Sequence, residues 1–174
     1  MPANQTTHPA IAPWLSARLV LTATLLCGAL DIGYAIVMSM LRGGTALGVL
    51  HSVASGPFGD DIDRLGWIGG LLGLAVHFSI MLVMVSIFCV AVARLRRLNS
   101  NPLLSGIAYG VISYFVMYWV VLALRWPQTF PQTDPMKIFR ALLPHIICVG
   151  IPLAFLVRKA SRGTSGDASA LAMN

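Results

Sequence analysis

Charged side chains are scarce in this sequence, and long stretches contain none of them. Only 10% of the 174 residues are charged, whereas an ordinary soluble domain has about 25%. This scarcity argues against a soluble globular protein. Hydrophobic residues make up 57% of the chain, and the mean hydropathy is +0.79. The composition therefore predicts a membrane protein.

The sequence also lacks the alternation of apolar and polar residues that marks the strands of an outer-membrane barrel. Its apolar stretches are long enough to cross a hydrocarbon layer of about 30 Å as helices, at about 1.5 Å per residue. They lie near residues 18–41, 66–93, 103–125 and 137–157. We predict an all-α integral membrane four-helix bundle over residues 17–160, with polar tails at residues 1–16 and 161–174.

The connection between the first two predicted helices is long for a compact bundle. It contains apolar residues at helical spacing, namely Leu47, Leu50, Val53 and Ala54. This pattern predicts a short helix that lies in the membrane interface or re-enters the membrane. His51 shares a face with Leu47 and Ala54, and points either at the bundle or at water.

The run "DDID" lacks the spacing of a calcium loop, and we expect an aspartate to cap the second helix.

Motifs of catalysis and of disulfide frameworks are missing as well. No G-x-S-x-G, H-E-x-x-H or phosphate-loop motif occurs, so we expect no enzymatic activity. The three cysteines, Cys27, Cys89 and Cys148, fall inside predicted spans, where an odd number of thiols does not indicate a disulfide framework. The basic runs are not interleaved with aromatic residues, so we expect contact with anionic lipid and no nucleic-acid partner.

The distribution of lysine and arginine predicts the orientation, because cytoplasmic loops carry an excess of both. The side that holds both termini carries seven basic residues and the other side five. The seven are Arg18, Arg94, Arg96, Arg97, Arg158, Lys159 and Arg162, and the five are Arg42, Arg64, Arg125, Lys137 and Arg140. The aspartates of "DDIDR" also fall on the poorer side. We therefore expect both termini in the cytoplasm.

Ionisable residues occur at a common depth in three of the predicted helices. Asp31, His77 and His145 each lie a few ångströms to the outer side of the midpoint of their span. Tyr114 and Tyr118 of the third helix lie in the same layer or in the turn above it. Pro144 frees the carbonyl of Arg140, and a histidine directly after this kink can approach the freed carbonyl.

Small residues form two stripes at helical spacing. Gly66, Gly70 and Gly73 lead to His77 in the second helix, and Gly106 and Gly110 lead to Tyr114 in the third. Such stripes predict close helix contacts, so the histidine is expected to face protein. A free G-x-x-x-G face would also permit a homodimer or a partner in a membrane complex.

The buried Asp and His cluster supports several chemical interpretations. An isolated carboxyl at this depth prefers to be neutral, whereas a nearby imidazolium favours the carboxylate. The cluster can therefore relay protons within a small transport or accessory component. It can also bind zinc or iron through Asp31, His77 and His145, with copper(I) an option through nearby Cys27, Cys148, Met81 and Met84. Haem ligation by two histidines and a purely structural tie between helices are the remaining alternatives.

Three segments carry a family resemblance: "VLHSVASGPFG", "GGLLGLAVHFSIMLVM" and "NPLLSGIAYGVISYFVMYWVV". Here the chain resembles a group of small bacterial inner-membrane proteins that is distantly similar to the YagU-like membrane proteins. The resemblance covers residues 25–157, and Asp31, His77 with Phe78, and Pro144 with His145 match the pattern of the group. His51 departs from it, because a glutamine is expected there. The resemblance implies a bacterial inner-membrane location and the four-helix architecture, and brings no activity.

Overall fold

Four long apolar helices form the body of the protein. The computed structural model describes residues 15–171, and it describes side chains for residues 15–162. Four helices are long and apolar enough to cross a membrane, and we call them spans 1 to 4: Ala17–Met40, Trp67–Arg94, Pro102–Arg125 and Pro135–Arg162. The described residues contain no strand. The prediction of an all-α four-helix bundle is confirmed, and the chain is a multi-pass membrane protein.

Side-chain caps begin three of the four spans. The hydroxyl of Ser16 accepts the N–H of Leu19, the side chain of Asn101 accepts that of Leu104, and Asp134 accepts those of Met136 and Lys137. These caps satisfy main-chain donors that the first turn of a helix leaves unpaired. Proline follows the cap in spans 3 and 4. At this position an N–H would have no acceptor within the helix, so its absence does not destabilise the helix.

The structure describes most of only one of the two predicted polar tails. The predicted N-terminal tail lies outside the described residues apart from residues 15 and 16. At the other end, the helix Ile151–Leu171 continues well past the predicted boundary at residue 157. Most of the segment that the sequence sets apart as a C-terminal tail is therefore helical.

The connection between spans 1 and 2 forms a short helix, Ala46–Phe58, which packs against span 2. A Cβ atom at Gly73 would collide with the main-chain carbonyl of Leu50, and one at Gly70 would lie 2.7 Å from the Leu47 side chain. The two glycines thus allow the short helix to lie directly on span 2. Gly66 differs from them, because no atom lies within 4 Å of its Cβ position and its φ of +52° is a conformation that favours glycine.

An aspartate does not cap span 2, so that prediction was wrong. The segment Asp60–Leu65 forms a short 3₁₀ helix, and Gly66 then begins span 2 without a side-chain cap. The aspartates are used in other contacts, since Asp61 pairs with Arg64 and Asp60 pairs with Arg125. The acidic run therefore shapes the loop instead of starting the helix.

The close crossing of spans 3 and 4 depends on glycine. A Cβ at Gly106 would lie 2.7 Å from the carbonyl oxygen of Gly150, and one at Gly110 would lie 2.6 Å from that of His145. Gly150 in turn meets the carbonyl of Gly106. The G-x-x-x-G face of span 3 is therefore occupied within the chain and is not left free for a homodimer.

Spans 3 and 4 both contain a π-helical stretch in their middle. Span 3 runs as α-helix Pro102–Phe115, π-helix Val116–Val121 and α-helix Leu122–Arg125. Span 4 runs as α-helix Pro135–Pro144, π-helix His145–Gly150 and then the helix Ile151–Leu171. Each π turn inserts extra backbone into the helix and redirects the side chains that it carries.

Packing is uneven along the length of the bundle. A dry core occupies the end near the termini, where Val85, Phe88, Val149 and Leu153 are almost completely buried. Span 1 packs against spans 2 and 4, and span 4 packs against span 3. Towards the loops that follow span 1 and span 3, the helices are less closely packed, and two cavities lie between them. These cavities are the candidate functional site.

Candidate functional site

The first cavity, which we call the polar chamber, has a volume of about 620 Å³. It lies among span 1, span 4 and the short helix. The residues that line it include Tyr34, Ser39 and Ser52. Basic residues from the ends of spans 1 and 4 line it as well, namely Arg42, Lys137 and Arg140. The polar chamber is thus a recess with polar and basic side chains in its wall, and it extends from the loop end to Asp31.

The second cavity, which we call the apolar chamber, has a volume of about 1090 Å³. Its walls come mainly from spans 2 and 3 and from the short helix, and they include Val53, Val76, Ile80, Met84 and Met117. Spans 2 and 3 are linked beyond this chamber by Tyr109, whose hydroxyl donates to the carbonyl of Met84 at 2.6 Å. The chamber is of the size and character of a site for a small apolar ligand.

Three residues of the predicted cluster lie where the two chambers meet. Asp31 of span 1, Tyr118 of span 3 and His145 of span 4 line both cavities. Asp31 is also the only acidic residue in any of the four spans. Among the residues whose side chains are described, it forms no ion pair or hydrogen bond. The carboxyl therefore faces cavity space beside an imidazole and a phenol.

His77 lines the apolar chamber but not the polar chamber, and its imidazole makes a hydrogen bond to span 1. Its side chain is buried, and Nε2 lies 3.0 Å from the carbonyl oxygen of Gly28 in span 1. Gly28 permits this approach, because a Cβ there would lie 2.6 Å from the ring of Phe78. The partner that a buried imidazole requires is thus a main-chain carbonyl, and the contact ties span 2 to span 1.

His145 makes a hydrogen bond within its own helix. Its Nδ1 lies 2.8 Å from the carbonyl oxygen of Ala141. The carbonyl of Arg140, which Pro144 leaves without a helical donor, accepts the hydroxyl of Tyr34 at 3.3 Å. His145 therefore bonds to the neighbouring carbonyl of Ala141, while Tyr34 bonds to the carbonyl that Pro144 frees. A proton on Nδ1 leaves Nε2 as the ring nitrogen that can accept another proton.

Aromatic rings pack around His145 on the side of span 3. The rings of Tyr114 and Tyr118 are stacked with centroids 4.9 Å apart, and His145 contacts both edge-on at 6.0 and 5.8 Å. Tyr118 and His145 both belong to the π-helical stretches. Tyr114 does not line either chamber and is 1% exposed, and its hydroxyl has no hydrogen-bond partner among the described residues. Tyr114 therefore supports the ring stack, whereas Tyr118 reaches the cavities.

Two tyrosines of span 3 give a matched pair of expected results. Tyr109→Phe removes the hydroxyl that bonds to Met84, and we expect it to lower the free energy of unfolding by about 1 kcal/mol. Tyr114→Phe removes a hydroxyl that has no hydrogen-bond partner among the described residues, so we expect no loss of stability. Thermal unfolding of both variants in the same detergent checks this difference. Equal destabilisation by the two substitutions would contradict the hydrogen bonding described here.

The geometry does not support a metal centre formed by the predicted ligands. Within residues 15–162, no three histidine, cysteine or aspartate side chains are close enough to share a metal ion. Asp31, His77 and His145 therefore do not form such a group, and the cysteines do not complete one. The haem hypothesis needs two imidazoles that are free to face one another. Instead, His77 is bonded to span 1 and His145 lies in the ring stack.

A second histidine site lies at the loop end, and the sequence pattern indicated only part of it. His51 of the short helix is buried, with Nδ1 at 3.1 Å from Asp63 and Nε2 at 2.7 Å from the carbonyl of Gly66. Both ring nitrogens thus face oxygen acceptors, and only the imidazolium can donate to both. The contact fastens the 3₁₀ segment to the short helix. The sequence pattern placed His51 on the correct face but did not indicate its partners.

Arg125 is a contact residue that the sequence did not single out. Its Nε donates to the carbonyls of Ser55 and Gly56 at 3.3 and 3.2 Å, and Nη2 lies 3.1 Å from a carboxylate oxygen of Asp60. The guanidinium also lies 5.0 Å from the ring centre of Trp126. Arg125 therefore connects the end of span 3 to the short helix and closes one side of the apolar chamber. The only indication of this role in the sequence was the position of Arg125 at the end of an apolar span.

The site is thus defined by its own geometry: two adjoining chambers with an acid, an imidazole and a phenol at their junction. No protein-family model, curated protein or solved structure matches this chain.

Proposed function

We propose that this protein is a small proton-handling transport or accessory component of a bacterial inner membrane. The observation that supports it is the place of Asp31, which is the only acid in the four spans and lines both chambers beside Tyr118 and His145. Ionisable residues inside a membrane are costly and commonly mark ion or proton pathways. The proposed role of this junction is to take up and release a proton within the bilayer.

The chemistry of the three side chains suits that role. A carboxyl in a cavity changes between charged and neutral forms according to the charge of its neighbours. The Nε2 atom of His145 is not used in its bond to Ala141, so the ring can accept a proton there. The hydroxyl of Tyr118 can donate or accept. Their protonation is a shared property of the group, because each charge alters the preference of the others.

Access to the junction is asymmetric. The polar chamber connects Asp31 to the loop end, whereas the dry core formed by Cys27, Met81, Val85 and Val149 lies on the side of the termini. Under this proposal, protons reach Asp31 from the loop end in this conformation. Transport across the membrane would require a second conformation in which the core opens, as alternating-access proteins do.

Proton movement can be measured in vesicles that contain the purified protein. After a pH jump, a dye inside the vesicles should report faster equilibration with the protein than without it. For Asp31→Asn we expect the added rate to fall about tenfold or more, as is common when a positioned proton-transfer group is removed. Asp61→Asn is the matched control, because Asp61 is 86% exposed and lies outside both chambers. A wild-type rate equal to that of empty vesicles would refute transport.

We also propose that both termini lie in the cytoplasm, which follows from the excess of basic residues at that end. Single-cysteine variants in a cysteine-free background test it. Asp61→Cys at the loop end should react with a membrane-impermeant maleimide in intact cells, whereas Ser100→Cys, between spans 2 and 3, should react only after lysis. The reverse pattern would overturn the orientation.

A structural role is the second candidate, and the bond between His77 and the Gly28 carbonyl favours it for that one histidine. If His77 only joins spans 1 and 2, His77→Gln should retain the proton movement of the wild type, since the amide can also donate to the carbonyl. Loss of proton movement in a stable, folded His77→Gln protein would instead place His77 in the relay. Elution volume and unfolding temperature establish that the variant is folded.

A further inference from the structure

The rim of the polar chamber carries three basic side chains, and no acidic side chain among the described residues pairs with them. Arg42 follows span 1, and Lys137 and Arg140 lie one turn apart at the start of span 4. Among residues 15–162, the side chains of these three form no ion pair or hydrogen bond. Arg125, which lines the apolar chamber, is in contrast held by Asp60 and two carbonyls. The three rim cations are therefore available to an anionic ligand.

Behind the rim, the site changes from polar to apolar. Both chambers are lined by Val49, Tyr118 and Phe130 as well as by Asp31 and His145, so they adjoin along a common wall. The apolar chamber, of about 1090 Å³, is lined mostly by aliphatic, methionine and aromatic side chains. A ligand that fills both chambers needs a charged end and an apolar end.

We propose that the two chambers bind one amphiphile, with an anionic head group among Arg42, Lys137 and Arg140 and a hydrocarbon chain in the apolar chamber. Charge complementarity selects the head group, because the rim carries three cations and Asp31 is the only acid among the described residues that line either chamber. The chain is retained by the apolar walls, since burial of apolar surface is favourable at about 25 cal/mol per Å².

This inference uses the same cavities as the proposed function but does not depend on proton transfer. The head group interacts with the rim, and the rim residues are not part of the junction of Asp31, Tyr118 and His145. Binding of the amphiphile can therefore be present when proton movement is absent, and the two proposals can fail separately.

Binding of oleate to the detergent-purified full chain tests the proposal, with oleyl alcohol as a probe that has the same chain and an uncharged head. We expect saturable binding of oleate with about one molecule per chain. Oleyl alcohol should bind about tenfold more weakly, because charged hydrogen bonds contribute amounts of that order. Equal affinity for the two probes, or no saturable binding of oleate, would overturn the proposal.

Substitutions distinguish the head site from the chain site. The triple variant Arg42→Gln, Lys137→Gln, Arg140→Gln should lose about tenfold or more in oleate affinity and leave oleyl alcohol unaffected. Arg64→Gln is the control, because Arg64 is a basic residue of the loop end that lines neither chamber. Wild-type oleate affinity in the triple variant would refute the assigned head site.

The apolar chamber can be filled without adding polarity. Val76→Phe with Ile80→Phe places two rings in its wall and should weaken both probes, whereas Leu71→Phe, on an exposed part of span 2, should weaken neither. Unchanged binding in a folded Val76→Phe, Ile80→Phe variant would exclude this chamber as the chain site. The unfolding temperature of each variant establishes that it is folded.

Discussion

Gly110→Ala is expected to destabilise the protein by about 1–3 kcal/mol, the usual cost of overpacking a close contact. The added Cβ would lie 2.6 Å from the carbonyl oxygen of His145 and 2.6 Å from the Cα of Ile146. Both are main-chain atoms, so they cannot move aside as the end of a flexible side chain could. Spans 3 and 4 must separate, and the same movement shifts His145 away from the junction of the chambers. Equilibrium unfolding in mixed micelles measures the loss.

Gly33→Ala is the matched control for this expectation. Gly33 also lies inside a span, but no atom is within 4 Å of its Cβ position. Alanine favours a helix by about 0.5–1 kcal/mol relative to glycine, so Gly33→Ala should leave the free energy of unfolding unchanged or raise it. If Gly110→Ala behaves like Gly33→Ala, the close crossing of spans 3 and 4 is not present in the membrane protein in solution.

Arg125→Gln is expected to have the second largest effect on stability. The substitution removes the ion pair with Asp60 and the bonds from Nε to the carbonyls of Ser55 and Gly56. Hydrogen bonds from a charged donor contribute about 1.5–3 kcal/mol, and the lower end applies here because the Arg125 side chain is 34% exposed. The short helix should then detach from span 3 before the bundle unfolds.

Hydrogen exchange of the short helix is the measurement that isolates this effect. The amides of Ala46–Phe58 should exchange faster in Arg125→Gln, whereas those of span 2 should not change. Arg64→Gln is the control, because Arg64 pairs with Asp61 where both side chains are more than 80% exposed and such surface pairs contribute little. Unchanged exchange of the short helix in Arg125→Gln would show that Arg125 does not hold it.

The sequence predicts most of the architecture because hydropathy and length determine membrane helices almost completely. The bounds of spans 1, 2 and 3 lie within one residue of the predicted ranges. The short helix was also anticipated, from the spacing of Leu47, Leu50, Val53 and Ala54. These features depend on local periodicity, which can be read directly from a sequence. The extension of the last helix to Leu171 was missed, because a polar helix end carries no apolar pattern.

Other features depend on contacts between distant segments and could not be predicted. Pro144 and Pro152 flank the π-helical stretch His145–Gly150 and could have signalled it, but nothing in "VMYWVV" marks the stretch in span 3. Depth and the small-residue stripes grouped Asp31, His77 and His145. They do not show that His77 bonds to Gly28 and lines only the apolar chamber, whereas Asp31 and His145 line both chambers. That difference depends on the relative rotation of the helices.

The uneven packing of the bundle connects the fold with the proposed function. Close crossings at Gly73, Gly106 and Gly110 hold the helices together, while the bulky rings around His145 keep spans 3 and 4 in register beside open space. The junction therefore combines a rigid wall with cavity space for a carboxyl whose charge can change. A uniformly packed bundle would leave Asp31 without access from either side.

Infrared difference spectroscopy of the protein in lipid, recorded as a function of pH, tests the central claim most directly. Protonated aspartate has a carboxyl stretching band that the carboxylate lacks, so a proton taken up by Asp31 is observed at the residue itself. We predict a pH-dependent carboxyl band in the wild type and in Asp61→Asn, with the component from Asp31 missing in Asp31→Asn. Identical pH-dependent bands in the wild type and in Asp31→Asn would contradict proton exchange at this junction.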